Sequence, residues 1–275
     1  MKNLLLTLLL AALPLTATAQ AFDHEHKAWA ALLKKNVLLI NDAKASQVRY
    51  AGFMQDRGAL KSYLDSLARV SPADFKGWNK NQQLAFLINA YNANMIDKIL
   101  TRYPNIKSVW DFGKIFGNPF KDDFIDLFGR KVSLDFIEHE TIRAPGAYDD
   151  PRIHFAVNCA SIGCPMLREE PYVAEKVDAQ LEEQTVRFLS DRSRNRVGAD
   201  GKLEVSKIFD SPPWYGGDFR KGHKGFKTLE GFFAKYANLL SDNAEQQKLV
   251  RDSKAEIRHL DYDWGLNDVS SARGK

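Results

Sequence analysis

Cysteine is nearly absent from this chain: Cys159 and Cys164 are its only two in 275 residues, so no more than one internal disulfide can form. Long hydrophobic runs are missing too. Beyond an N-terminal stretch, no segment approaches the length needed to cross a bilayer, and no transmembrane segment is expected in the mature chain. There is no dense Lys/Arg block with interleaved aromatics, and the formal net charge is only +4. Nucleic acid is therefore a poor partner for it. Internal repeats and low-complexity linkers are also lacking.

What is present reads as an export leader followed by one globular domain. Lys2 supplies a positive n-region, Leu4–Leu13 an apolar stretch and Ala17-Thr18-Ala19 a small-residue cleavage site before Gln20. Residues 1–19 are thus expected to be a signal peptide, residues 20–275 the mature domain, and the location periplasmic or secreted. The remaining length suffices for a buried core, and the 44% apolar and 27% charged content is that of an ordinary globular domain.

Helical periodicity appears at Asp23–Ile40, with Trp29, Leu32, Leu33 and Leu39 inward, and at Ala59–Val70. It is longest at Asn81–Tyr103, where the apolar arc exceeds half the circumference and predicts a largely buried central helix. Asn89 and Asn92 fall inside that arc. They are expected either to tie down loops through backbone hydrogen bonds or to line a site. Gln83, Asn94, Asp97 and Lys98 are assigned to a narrow solvent face. Further helices are expected at Val173–Leu189 and Thr228–Leu240, hairpins at Phe124–Val132 and Asn195–Ile208, and a closing strand at Ile257–Leu266. Helices separated by hairpins, without β-α-β alternation, predict an α+β fold: one domain of helices around a small, mostly antiparallel sheet.

Chemistry concentrates in Asp150–Pro165, D-P-R-I-H-F-A-V-N-C-A-S-I-G-C-P. Arg152–Asn158 alternates as a strand, with Ile153, Phe155 and Val157 on one face and His154 and Asn158 on the other. So apolar a strand is expected to be covered on both sides, which buries its polar residues and demands partners for them. Pro165 suits the first position of a helix, which makes Cys164 its cap and favours its thiolate. Upstream, Ser133 caps a helix on which Leu134, Glu138 and Ile142 share a stripe. Glu138 is thereby placed inward, either paired with Arg143 or Arg152 or held with a raised pKa. Ser211–Gly217, containing Trp214 and Tyr215, reads as the rim of a pocket.

Several segments together resemble the domain of unknown function 547 family. They are N-Q-Q-L-A-F-L-I-N-A-Y-N (residues 81–92), S-L-D-F-I-E-H-E-T-I-R (133–143), the Asp150–Pro165 stretch and Y-D-W-G-L-N (262–267). The similarity spans a core of about residues 80–267. Ser211-Pro212-Pro213 departs from the family's short spacing before W-Y. The resemblance implies a domain and not a reaction; its matching positions are Asn89, Asn92, Glu138, His139, His154, Asn158, Cys159 and Cys164.

Three chemistries compete for the cysteines. One is a local Cys159–Cys164 disulfide formed in an oxidising compartment. Another is thiol catalysis, with Cys164 as nucleophile, His154 as base and Glu138 as its orienter. The third is a metal site of His154, Cys159 and Cys164 with His139 or Glu138, which an ideal strand disfavours by placing His154 and Cys159 on opposite faces. The functional expectation is a thiol-dependent hydrolase or acyltransferase acting on an envelope peptide, amide or thioester. Its catalytic residues are Cys164, His154 and Glu138, its substrate-binding residues Asn89, Asn92, Asn158 and Trp214, and it has neither metal nor cofactor. The alternative is a non-catalytic envelope domain that binds a small molecule or peptide and is clamped by the disulfide. Of the two thiols, Cys164 is expected to be the more exposed and the more acidic.

Overall fold

A computed structural model describes residues 21–113 and 117–270; the leader and its cleavage site lie outside the described residues. The centre of the molecule is the helix α5 (Lys80–Leu100). Its entry is set by Asn79, whose side chain accepts from Gln82 N at 2.9 Å while Gln82 Oε1 accepts from Asn79 N at 3.1 Å, a reciprocal capping box. The earlier elements are α1 (Lys27–Asn36), β1 (Val37–Ile40), β2 (Ala45–Val48), α2 (Tyr50–Gln55), α3 (Arg57–Ala68) and α4 (Pro72–Gly77). Helices α2 and α3 pack directly on α5.

The central helix is more deeply buried than its periodicity indicates. Gln83, Asn94 and Lys98, assigned above to a solvent face, are all buried. Each retains a partner: Gln83 donates to Phe75 O, Asn94 to Ala90 O, and Lys98 reaches Asp122 at 2.8 Å. Asp97 is the partly exposed residue of that set. The helix expected over residues 23–40 instead ends at Asn36, because Val37–Ile40 pairs antiparallel with Ala45–Val48. Leu39 is consequently exposed and not inward.

After α5 come the hairpin β3 (Ile125–Leu127) and β4 (Arg130–Val132), a π-helical segment (Phe136–Ile142) and a 3-10 helix (Pro151–Phe155). Next are α6 (Val177–Ser190), β5 (Arg196–Val197), β6 (Leu203–Val205), α7 (Leu229–Lys235), α8 (Ala237–Leu240), α9 (Ala244–Arg251) and β7 (Ile257–His259). Both expected hairpins are present. The closing strand is shorter than expected and runs parallel to β6, so the sheets are antiparallel except at this edge. The fold is α+β, with short sheets among predominant helices. No helix among the described residues is long and apolar enough to cross a membrane.

Two apolar clusters form the interior. The larger surrounds α5 and includes Phe86, Ile88, Met95, Ile137 and Ile153; the smaller is aromatic, with Phe155, Phe188, Phe209, Phe219 and Phe232. Pro151–Phe155 contributes Ile153 to one and Phe155 to the other. His154 is held in this junction.

Candidate functional site

The strand expected at Arg152–Asn158 is not formed. Asp150 Oδ1 accepts from Arg152 N at 3.0 Å, and Pro151 occupies the first helical position. A capped start with a fixed proline φ commits the chain to a helical turn and overrides the apolar alternation. The expected burial holds all the same: Arg152, Ile153, His154 and Phe155 are all buried. Arg152 is satisfied by Asp150, Asp178 and Glu182, so it is not a partner of Glu138.

Glu138 is inward, as its helical stripe predicts, with 4% of its surface exposed. The segment that carries it is wound more widely than an α-helix: Arg143 N donates to Glu138 O at 2.9 Å, and Thr141 Oγ1 to Phe136 O at 2.9 Å, both five residues back. Ser133 assists its start by accepting from Phe136 N at 3.0 Å. Arg143 does not pair with Glu138 either. Its Nε lies 2.7 Å from Asp218 Oδ2, and its Nη1 lies 2.6 Å from His139 Nδ1.

Glu138 faces His154. Oε1 of the first and Nδ1 of the second are 3.7 Å apart, too far for a hydrogen bond, and neither of these buried atoms has another hydrogen-bond partner among the described residues. The other imidazole nitrogen, Nε2, lies 2.8 Å from Asp218 Oδ2. Tyr215 stacks on the imidazole at 4.2 Å between centroids and 14° between planes. Its position depends on Gly216, where a Cβ would lie 2.0 Å from Phe209 O; only glycine lets the loop pass so close. Burial would raise the Asp218 carboxyl, but His154, Arg143 and Lys221 together hold it well below the usual carboxylate range. Burial opposes ionisation of Glu138 too, and the neighbouring His154, His139 and Arg143 outweigh it, so that carboxyl is also lowered.

The cysteines occupy an adjoining loop. Asn92 anchors its start by donating to Ala156 O at 2.9 Å and accepting from Asn158 N at 2.8 Å. Asn158 in turn donates to Pro165 O at 2.8 Å and accepts from Ala160 N at 3.0 Å. Asn89 performs a similar task on another segment, donating to Tyr172 O and accepting from Tyr172 N. The inward amides of α5 thus hold backbone. On its far side the cysteine loop pairs with the C-terminal segment: Ile162 N donates to Gly265 O and Gly163 N to Asp263 O, both at 2.8 Å. A Cβ on Gly163 would stand 2.9 Å from Asp263 N, so this approach also requires glycine.

Here the expected order of the thiols is reversed. Cys164 is buried, and Pro165 does not begin a helix, so the anticipated helix-terminus field is missing. Its Sγ accepts from Cys159 N at 3.1 Å. Burial, followed by the adjacent Cys159, pushes the Cys164 thiol well up. Cys159 is partly exposed, and its Sγ is 3.0 Å from both Ser161 Oγ and Tyr262 Oη. Burial works to raise this thiol, but hydrogen bonds from Cys164, Ser161 and Tyr262 outweigh it and leave it lowered. Both cysteines are free.

The structure brings Glu138 and His154 together. Among the described residues no hydrogen bond or ion pair joins either of them to Cys159 or Cys164, and no group of three His, Cys, Asp or Glu side chains converges as metal ligands. Trp214 lies over the C-terminal segment, with its ring centroid 4.8 Å from that of Tyr262 and 5.7 Å from that of Trp264. Asp218, Ser161 and Tyr262 escaped the sequence reading. Ser161 stands between the two cysteines and Tyr262 opens a matching motif, so both had a local signal; Asp218 had none. An open cleft of about 390 Å³ lies elsewhere, lined by Asn79, Lys80, Asn81, Ala174 and Glu175.

Residues 75–189 match the family described as "Protein of unknown function, DUF547", and this segment is similar to that family. Comparison with curated proteins and with solved structures found no match. The matched segment contains Glu138, His154 and both cysteines, whereas Tyr215, Asp218 and Tyr262 come from the chain that follows it.

Proposed function

We propose that this protein is a thiol-dependent hydrolase or acyltransferase whose nucleophile is Cys159. The observation that carries this reading is the placement of Cys159, a partly exposed residue whose sulfur lies 3.0 Å from two hydroxyls, Ser161 Oγ and Tyr262 Oη. A thiol whose pKa is lowered by such neighbours is nucleophilic without a histidine in direct contact. Burial, followed by the adjacent cysteines, keeps the Tyr262 phenol well above its ordinary pKa, so it stays protonated and acts as a donor at neutral pH.

In this reaction the Cys159 thiolate attacks a carbonyl carbon and forms a thioester, and the amine, alcohol or thiol of the substrate leaves, taking up the proton that Cys159 gave up on ionising. Water or an acceptor nucleophile then releases the acyl group. Glu138, His154 and Asp218 are positioning residues that hold Tyr215 and the preceding Trp214 beside the cysteine loop. An exported location, and hence an envelope peptide, amide or thioester as substrate, rests on the leader pattern of residues 1–19.

The test is stoichiometric acylation. The reduced chain is treated with p-nitrophenyl acetate, and the adduct is located by peptide mass. Acetylation of Cys159, lost in Cys159→Ser, is expected. Undiminished nitrophenol release by Cys159→Ser, or acylation elsewhere alone, excludes the reading.

The runner-up is a non-catalytic binding domain clamped by a Cys159–Cys164 disulfide, and the 3.1 Å approach of Cys164 Sγ to Cys159 N favours it. Its mark is a bridge that forms spontaneously in air and resists mild reductant.

A further inference from the structure

We propose that Cys159 and Cys164 form a nucleophile and resolver pair for thiol–disulfide exchange with a small, flexible disulfide. This rests on Cys159 being the attacking thiol, as in the acyl-transfer reading, but it assigns Cys164 a task that acyl transfer leaves empty.

The two thiols are unlike in the way such a pair requires. Cys159 is partly exposed, and its sulfur has two hydroxyl neighbours. Cys164 is buried, with its sulfur 3.1 Å from the backbone nitrogen of Cys159. An external disulfide therefore meets Cys159 first, and the product is formed within reach of Cys164. The loop that carries both is restrained on each side, by Asn92 at Asn158 N and by Asp263 and Gly265 at Gly163 and Ile162. Restraint keeps the second sulfur close while the first is modified. The aromatic wall of Trp214, Tyr262 and Trp264, with Tyr262 and Trp264 centroids 4.5 Å apart, narrows the approach and favours a small aliphatic disulfide over a folded protein.

In the first step the Cys159 thiolate attacks one sulfur of R–S–S–R, forms Cys159–S–S–R and releases RS⁻. The negative charge on Cys159 disappears, and with it one of the two main influences that raise the Cys164 thiol. Cys164 then gives up its proton to the departing thiolate and attacks the Cys159 sulfur. A Cys159–Cys164 disulfide forms and the second RS⁻ leaves, taking from solvent the proton that Cys159 gave up on ionising. The protein loses two electrons, and the small disulfide gains them as two thiols. A small dithiol restores the starting pair.

The full chain, reduced and desalted, is mixed with 2-hydroxyethyl disulfide, quenched in acid at intervals, alkylated and weighed intact. The wild type is expected to lose both alkylatable thiols and two hydrogens in mass, with any hydroxyethylthio adduct transient. Cys164→Ser is expected to retain one such adduct on Cys159, and Cys159→Ser to form neither species at the wild-type rate. If Cys164→Ser does not fold by circular dichroism, Cys164→Ala takes its place, and the decay of the wild-type adduct provides the same readout. A persistent wild-type adduct, or equal reaction of Cys164 in Cys159→Ser, overturns the proposal. Acetylation without resolution sinks this inference alone, and resolution without acetylation sinks acyl transfer alone.

Discussion

His154 Nε2 lies 2.8 Å from Asp218 Oδ2, across 64 residues of sequence. The contact ties the junction between the two apolar clusters to the loop that bears Trp214 and Tyr215. Asp218 also collects Arg143 Nε at 2.7 Å and Lys221 Nζ at 2.6 Å, so one buried carboxylate answers a partly buried arginine and an exposed lysine.

Replacing Asp218 by Asn should therefore cost about 3 kcal/mol, because Arg143 and His154 are left facing a neutral amide in a buried setting. The folded-state carboxyl is depressed, so its stabilisation is complete above the ordinary carboxylate pKa of about 3.9 and declines as pH falls below it. Urea unfolding at neutral and acid pH checks both points. The gap between wild type and variant should narrow in acid; a gap that stays constant rules out this linkage.

Glu138→Ala should destabilise by about 3 kcal/mol, since it removes the carboxylate that faces His154 across a buried 3.7 Å gap. Glu138→Gln retains the shape and should cost less. If both variants unfold at the wild-type denaturant midpoint, Glu138 does not balance charge in this interior.

Asn92→Ala strips partners from Ala156 O and Asn158 N, both in buried residues. A loss of about 2 kcal/mol is expected, with faster hydrogen exchange at the Asn158 amide than in the wild type. Unchanged exchange there means that the cysteine loop is held by its other side.

Alkylation by limiting iodoacetamide should mark Cys159 ahead of Cys164, with a midpoint below the ordinary thiol value of about 8.5. Tyr262→Phe deletes one of the hydrogen bonds that lower this thiol, so its midpoint should move upward. Peptide mass across a pH series measures both. Preference for Cys164, or no movement in Tyr262→Phe, contradicts the assignment.

Gly163→Ala should separate the cysteine loop from the C-terminal segment, because the new Cβ meets backbone at Asp263 N and O, at 2.9 and 3.0 Å. A cost of about 2 kcal/mol is expected from overpacking, accompanied by a rise in the Cys159 alkylation midpoint as Tyr262 withdraws. Thermal unfolding and the same alkylation series test the two effects separately.

Local patterning by itself determined the buried α5, the inward Asn89 and Asn92 and the inward Glu138. These follow from periodicity and composition, because a residue's place on a helical turn decides its burial before any partner is specified. The conformation of Asp150–Pro165 was decided otherwise. Its alternation suited a strand, but the Asp150 cap and Pro151 made a turn. Only the tertiary structure decided which cysteine is the more exposed, since burial of a loop residue depends on what packs against it. It alone brought Tyr262 to Cys159 over 103 residues and Asp218 to His154 over 64. A hydrogen bond needs two groups within about 3 Å, and where the chain lies far apart in sequence, packing of the whole interior selects them.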